Sequence, residues 1–87
     1  MIDLETVLRE RLQNALMPIS LEVLNESHLH AGHAGAAGGA QHFAVRIVSP
    51  QFNGITRMAQ HRLVYAAVHD LMPHPIHALR IETQGTI

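Results

Sequence analysis

Cysteine is absent from the 87 residues, and so is lysine. Without a thiol the chain builds no disulfide framework and, alone, no cysteine-ligated metal site. Without lysine the Walker-type GxxxxGK[ST] loop cannot be written, so a P-loop nucleotide site is excluded. All six positive charges are arginines (Arg9, Arg11, Arg46, Arg57, Arg62 and Arg80), they are scattered, and the formal net charge is −1. Affinity for phosphate backbones rests on accumulated positive charge, so this balance weighs against strong nucleic-acid binding. Tryptophan is absent and only Phe43, Phe52 and Tyr65 are aromatic; the core must therefore be aliphatic. No apolar run approaches the roughly 18 residues of a spanning helix. Asp3, Glu5, Arg9, Glu10 and Arg11 interrupt the first apolar segment, so it reads as no signal peptide. A cytoplasmic protein with no membrane association is the expectation.

What the chain does contain suffices for one domain over residues 1–87: 47% of its residues are hydrophobic, enough for a single core. Leu4, Val7, Leu8, Leu12, Ala15 and Leu16 recur at helical spacing. Asp3 suits the N-cap, and Pro18 ends the helix near Met17. From Ile19 to Asn25 the pattern alternates, with Ile19, Leu21 and Val23 inward, as in a half-buried strand. A second strand is predicted over 42–49, with Phe43, Val45 and Ile47 inward and Ala44 and Arg46 outward. Pro50, Asn53 and Gly54 mark a turn. Thr56 caps a helix running to about Met72, carried by Met58, Ala59, Leu63, Val64, Ala67, Val68 and Leu71. Pro73 and Pro75 break it, and a third strand is predicted over 77–83, with Leu79 and Ile81 on its inner face and residues 84–87 frayed. The order α-β-β-α-β implies a two-layer α+β domain: a three-stranded mixed sheet with helices on one face. The first two strands pair antiparallel, and the helical crossover makes the second and third parallel.

One segment does not look like core. Ser27–His42, SHLHAGHAGAAGGAQH, holds four of the eight histidines and four of the six glycines. It reads as a flexible loop of about 28–41, too poor in large side chains to pack. His28 and His30 lie two apart and point the same way on an extended backbone. A soft loop lets His33 approach either, and His42 opens the second strand where it can face the loop. The tract is either a metal-binding histidine cluster or an exposed loop whose histidines bind metal adventitiously. His77 begins the third strand; by alternation it shares the core side with Leu79 and Ile81, yet at a strand start a side chain can emerge at the sheet edge. It is either a partly buried histidine bonded to a backbone carbonyl or a ligand fixed on a rigid element. His61 reads as a helix-surface residue beside Arg62, His69 and His74 as surface residues, and Met17, Met58 and Met72 as core or boundary residues. No pair of carboxylates, nucleophile elbow or phosphate-binding glycine register supports an enzyme.

Three pieces then align with a known pattern: LNESHLH (24–30), HFAVRIVSPQFNGIT (42–56) with QHRLVYAAVHDLM (60–72), and IHAL (76–79). Together they resemble the BolA-like family, and the match extends from about Leu4 to Thr83. The resemblance implies a type II KH-like fold of αββααβ order, in which the predicted middle helix divides into a short piece and a longer one. It also implies function: a heterodimer with a monothiol glutaredoxin, either apo or sharing a bridging [2Fe-2S] cluster, in cluster trafficking or iron and redox sensing. By that resemblance His77 of the HAL motif is one ligand. The loop residue His30 is the other, with His28 and His33 as competitors for its place. The glutaredoxin cysteine and bound glutathione supply the thiolates, and the chain alone, a monomer, holds no cluster. Gln60 stands where the family carries arginine before HR.

Members of the family linked to transcription suggest a second reading, a nucleic-acid-binding regulator using Arg57, His61 and Arg62 of the middle helix. No GxxG clamp of the KH type lies between the helices. A third reading is a free-standing histidine-loop metal binder.

Overall fold

The computed structural model describes residues 3–27 and 41–87. Helix α1 spans Leu4–Leu16, strand β1 Ser20–Asn25, strand β2 Gln41–Val48, helix α2 Arg57–Val68 and strand β3 Ile76–Gln84, with 3₁₀ turns at Pro50–Phe52 and His69–Leu71. The short-then-long division between β2 and β3 is thus a 3₁₀ turn followed by α2, and the helix expected to reach Met72 leaves α geometry after Val68. β2 is the central strand, antiparallel to β1 and parallel to β3, as the α+β reading requires.

Each element carries its own local cause. Asp3 accepts the Thr6 N–H at 2.7 Å, satisfying one of the donors a helix start leaves unpaired; the same bond holds its carboxyl below the ordinary range. At the other end Met17 adopts φ 45°, ψ 54° and its N–H reaches the Gln13 carbonyl. Thr56 caps α2 by accepting from Ala59 N–H at 3.1 Å. Ser49 is fully buried; its hydroxyl donates to the Leu16 carbonyl at 2.6 Å and accepts from Gln51 N–H at 3.1 Å. One side chain thereby closes the end of α1 and the start of the 3₁₀ turn.

The core lies between the helices and one face of the sheet. Leu8, Leu12 and Leu16 of α1 and Val64 and Val68 of α2 meet Val23, Phe43, Val45, Ile47, Ile76 and Leu79 of the sheet, together with Phe52. Several expected core positions fall outside it. Met17, the left-handed residue that ends the helix, is 70% exposed, and Ile19 is 72% exposed although its N–H donates to the Val48 carbonyl at 2.8 Å. Met58 is 65% exposed, and Leu63 is exposed as well: α2 buries only the narrow Val64–Val68 stripe. Ala44, expected outward, is buried although it lies on the open face, between Leu24 of β1 and Arg80 of β3. Its methyl is short enough to be covered by those longer neighbours. The last residues are not frayed. Thr86 N–H donates to Asn53 Oδ1 at 2.6 Å, and Asn53 Nδ2 donates to Thr86 Oγ1 at 2.9 Å. Gly85 lies so close to the Asn53 side chain that a Cβ there would collide with it.

Candidate functional site

The two ends of β3 carry different chemistry. At its start, Gln41 pairs with Ile76 while His42 pairs with Ala78. β3 thus advances two residues while β2 advances one, and His77 is the extra residue of a β-bulge, a device that re-aims side chains. Ile76 and Leu79, three apart, both fall into the core, which strict alternation forbids. His77 is displaced from the core side that alternation gives it and is exposed, the sheet-edge placement of the two the sequence allowed. Its ring lies against that of His42, centroids 5.3 Å apart and planes at 59°. His42 itself is only 6% exposed. It stands on the central strand, on the same face as Ala44 and Arg46.

The NES motif positions this pair from the backbone outward. Asn25 Oδ1 accepts from Ser27 N–H at 2.9 Å, an Asx-type turn. The Ser27 hydroxyl accepts from His42 N–H at 3.1 Å, and the His42 carbonyl accepts from Glu26 N–H at 2.8 Å. Arg80 grips the Glu26 carboxylate through two nitrogens, at 2.7 and 3.3 Å. Arg80 also lies 3.6 Å from Glu82, whose carboxylate takes Arg46 at 2.6 Å, and Arg46 lies 3.8 Å from Glu22. Alternating charges therefore run across the open face of the sheet. Such exposed pairs contribute little each; of them Glu26–Arg80 is the one that involves a residue bonded to His42. His28, His30 and His33 lie outside the described residues. Among the described residues no group of three or more His, Cys, Asp and Glu is arranged to hold a metal ion; the donor set there is the imidazole pair.

The other expected surface is separate. Arg57 and His61, one helical turn apart on α2, line a depression of about 330 Å³ with Ile81, Glu82 and Thr83. Five residues of strand, roughly 15 Å, separate Glu82 from His77. Arg62 is exposed and directs a guanidinium nitrogen to Met58 Sδ at 3.4 Å. Among the described residues the ion pairs use Arg9, Arg11, Arg46 and Arg80, so Arg57 and Arg62 are the arginines there without a carboxylate. Gln60 is turned the other way. Its amide donates to the Phe52 and Ile55 carbonyls at 3.1 and 3.2 Å, and its oxygen accepts from the Thr83 hydroxyl at 2.6 Å. It ties the turn, α2 and β3 together instead of facing a partner.

Sequence reasoning placed His42 among the loop histidines and His77 apart from them; the structure joins these two. The signal was parity: Ile76 and Leu79 are both strongly apolar yet three apart, which a regular strand cannot bury on one face.

A three-stranded mixed sheet, two helices on one face and a histidine pair at the bulged start of the last strand describe a small α+β domain. The chain belongs to the BolA-like family, whose model, described as BolA-like protein, matches residues 12–86. Among its relatives, BolA-like protein 1 of Bos taurus is 41% identical over 80 residues, covering 92% of this chain and 57% of the cattle protein. The chain thus spans little more than half the length of that relative. SufE-like protein 1, chloroplastic/mitochondrial, of Arabidopsis thaliana is 44% identical over 79 residues, 85% of this chain and 21% of that protein. Of solved structures, the BolA domain of SufE1 from Arabidopsis thaliana superposes with a TM-score of 0.86 at 36% identity, covering 99% of this chain and 95% of that one. Among the described residues no helix is long and apolar enough to cross a membrane.

Proposed function

We propose that this chain is an iron–sulfur accessory protein: it pairs with a monothiol glutaredoxin and shares a bridging [2Fe-2S] cluster in cluster trafficking or iron and redox sensing. The observation that carries the reading is His77, lifted out of the core by the bulge and exposed at the start of β3. A donor on a sheet is held more rigidly than one on a loop. His77 would supply one imidazole and His30 the second, with His28 or His33 able to replace His30. The partner's cysteine and glutathione would supply thiolates, since this chain has none.

Two imidazoles in place of two thiolates remove negative charge and raise a cluster's reduction potential, as in Rieske-type centres. They also make the complex sensitive to acid, because a ligating nitrogen must be unprotonated. Ser27, Glu26 and Arg80 hold the strand ends in place while the cluster is presented by the partner. The test is visible circular dichroism of the mixed complex. His77→Ala should abolish the mixed-ligand spectrum, and an unchanged spectrum would sink the assignment. His30→Ala should change it less.

The second reading, a nucleic-acid-binding regulator, is favoured by one observation: Arg57 and Arg62 have no carboxylate partner among the described residues and flank His61. DNA titrations across a range of salt concentrations separate the two. A phosphate-contacting surface must lose affinity as salt rises; absence of affinity, or affinity without a salt slope, counts against it.

A further inference from the structure

We propose that Asn53–Gly54 is a site of spontaneous deamidation by water, and that the Gly85–Thr86 segment sets its rate by holding the Asn53 side chain. Asparagine is among the chemically labile residues, and the residue after it decides how labile it is. The reaction begins when the next backbone nitrogen attacks the side-chain carbonyl carbon, and every residue but glycine crowds that nitrogen with a Cβ. Asn14 precedes Ala15 and Asn25 precedes Glu26, whereas Asn53 precedes glycine. Gly54 has φ +76°, and a Cβ built on it would meet nothing within 4 Å, so the turn is open beside the attacking atom.

The step balances without an oxidant. The Gly54 nitrogen forms a bond to Asn53 Cγ, the Cγ–Nδ2 bond breaks, and Nδ2 leaves as ammonia with the proton that Gly54 gave up. Water then opens the cyclic imide at either carbonyl and yields aspartate or isoaspartate. The native geometry opposes the first step. Asn53 Oδ1 accepts from Thr86 N–H at 2.6 Å, and Nδ2 donates to Thr86 Oγ1 at 2.9 Å. Cγ must swing onto the Gly54 nitrogen, so both bonds break first, and the reaction runs through local opening of this contact. The products differ in consequence. Aspartate keeps an acceptor for Thr86 N–H, and the Thr86 hydroxyl turns to donate to it. Isoaspartate lengthens the main chain by one methylene next to the buried Phe52 and loses the contact. Either product adds one negative charge to a formal net charge of −1, in the turn ahead of α2. That helix begins at Arg57, which has no carboxylate partner among the described residues.

The test incubates the full chain at mildly alkaline pH, native and unfolded in urea, and follows tryptic peptides by mass spectrometry. Cleavage after Arg46 and Arg57 isolates Ile47–Arg57, in which Asn53 is the sole asparagine; Leu12–Arg46 carries Asn14 and Asn25. Conversion is expected in Ile47–Arg57, as aspartate and isoaspartate, and more slowly in the native chain than in urea. Thr86→Ala removes one of the two bonds at an exposed position and should accelerate native conversion roughly twofold to tenfold, the worth of one net hydrogen bond. Gly85→Ala, whose Cβ collides with the Asn53 side chain, should accelerate it as well; where that change impairs folding, Thr86→Ala decides. Conversion that is equally fast in the native and urea-unfolded chains, or unchanged in Thr86→Ala, would overturn the gating by Thr86. Conversion of Leu12–Arg46 ahead of Ile47–Arg57 in urea would overturn the site itself. An acceleration in Thr86→Ala shared by Leu12–Arg46 would report global unfolding and overturn the gating too. None of these outcomes depends on a glutaredoxin or a cluster.

Discussion

Replacing Ser49 by alanine should cost far more than a serine in a turn ordinarily does. The side chain is fully buried, and its hydroxyl serves two backbone groups at once. It donates to the Leu16 carbonyl at 2.6 Å, at the end of α1, and accepts from Gln51 N–H at 3.1 Å, at the start of the 3₁₀ turn. The substitution leaves both groups without that partner in a space that alanine keeps dry. A buried group stripped of its partner costs about 1–3 kcal/mol, and loss of a serine cap alone costs about 0.5–2 kcal/mol. Because one hydroxyl makes both bonds the terms overlap, and a total of about 2–3 kcal/mol is expected. For a chain of 87 residues the whole stability is about 4–13 kcal/mol, so the loss is a large fraction. At about 4–8 °C per kcal/mol the midpoint should fall by roughly 10–20 °C. Urea denaturation followed by far-ultraviolet circular dichroism should show a lower midpoint with an unchanged slope. A loss under about 0.5 kcal/mol, the range of ordinary surface changes, would refute the claim that this hydroxyl joins α1 to the sheet.

Gly85→Ala should push the Asn53 side chain off its place and free the tail, seen as faster exchange of the Thr86 amide; unchanged exchange would contradict the Asn53–Thr86 pairing. Gln60→Ala removes bonds to Phe52, Ile55 and Thr83 and should destabilise by about 1–3 kcal/mol in chemical denaturation. The Arg11 guanidinium, at 2.6 and 2.8 Å from the Asp70 carboxylate, lowers the Asp70 pKa to about 2 from an ordinary 3.8. A depressed folded-state pKa stabilises at pH values above the unfolded one and is lost as pH falls through the folded one, so this contribution should fade between about pH 4 and pH 2. In Arg11→Gln the Asp70 carboxyl should titrate near 3.8 by carbon NMR; a value still near 2 would assign the shift elsewhere.

Much of the fold was legible because its signals are local. The Asp3 and Thr56 caps, the Leu8–Leu12–Leu16 stripe and the Phe43–Val45–Ile47 alternation each depend on residues within one element. The misses are tertiary. Ile19 and Met58 continue apolar patterns past the point where a partner surface exists, and Ala44 is buried by neighbours on other strands. The tail is fixed by Asn53, more than thirty residues away. The sequence left His77 between the core side and an exposed sheet edge, because a single bulge inverts side-chain parity and only the three-residue spacing of Ile76 and Leu79 hints at one. The family pattern pointed to His77, whereas its neighbour His42 emerges only when β2 and β3 are paired in register.

The most direct measurement is a titration of [2Fe-2S]-loaded monothiol glutaredoxin with this protein and with its His77→Ala variant, followed by visible circular dichroism. The account predicts a saturable spectral change at one-to-one ratio for the native chain and none of that change for the variant. No change with the native chain, or the same change with both, would contradict it.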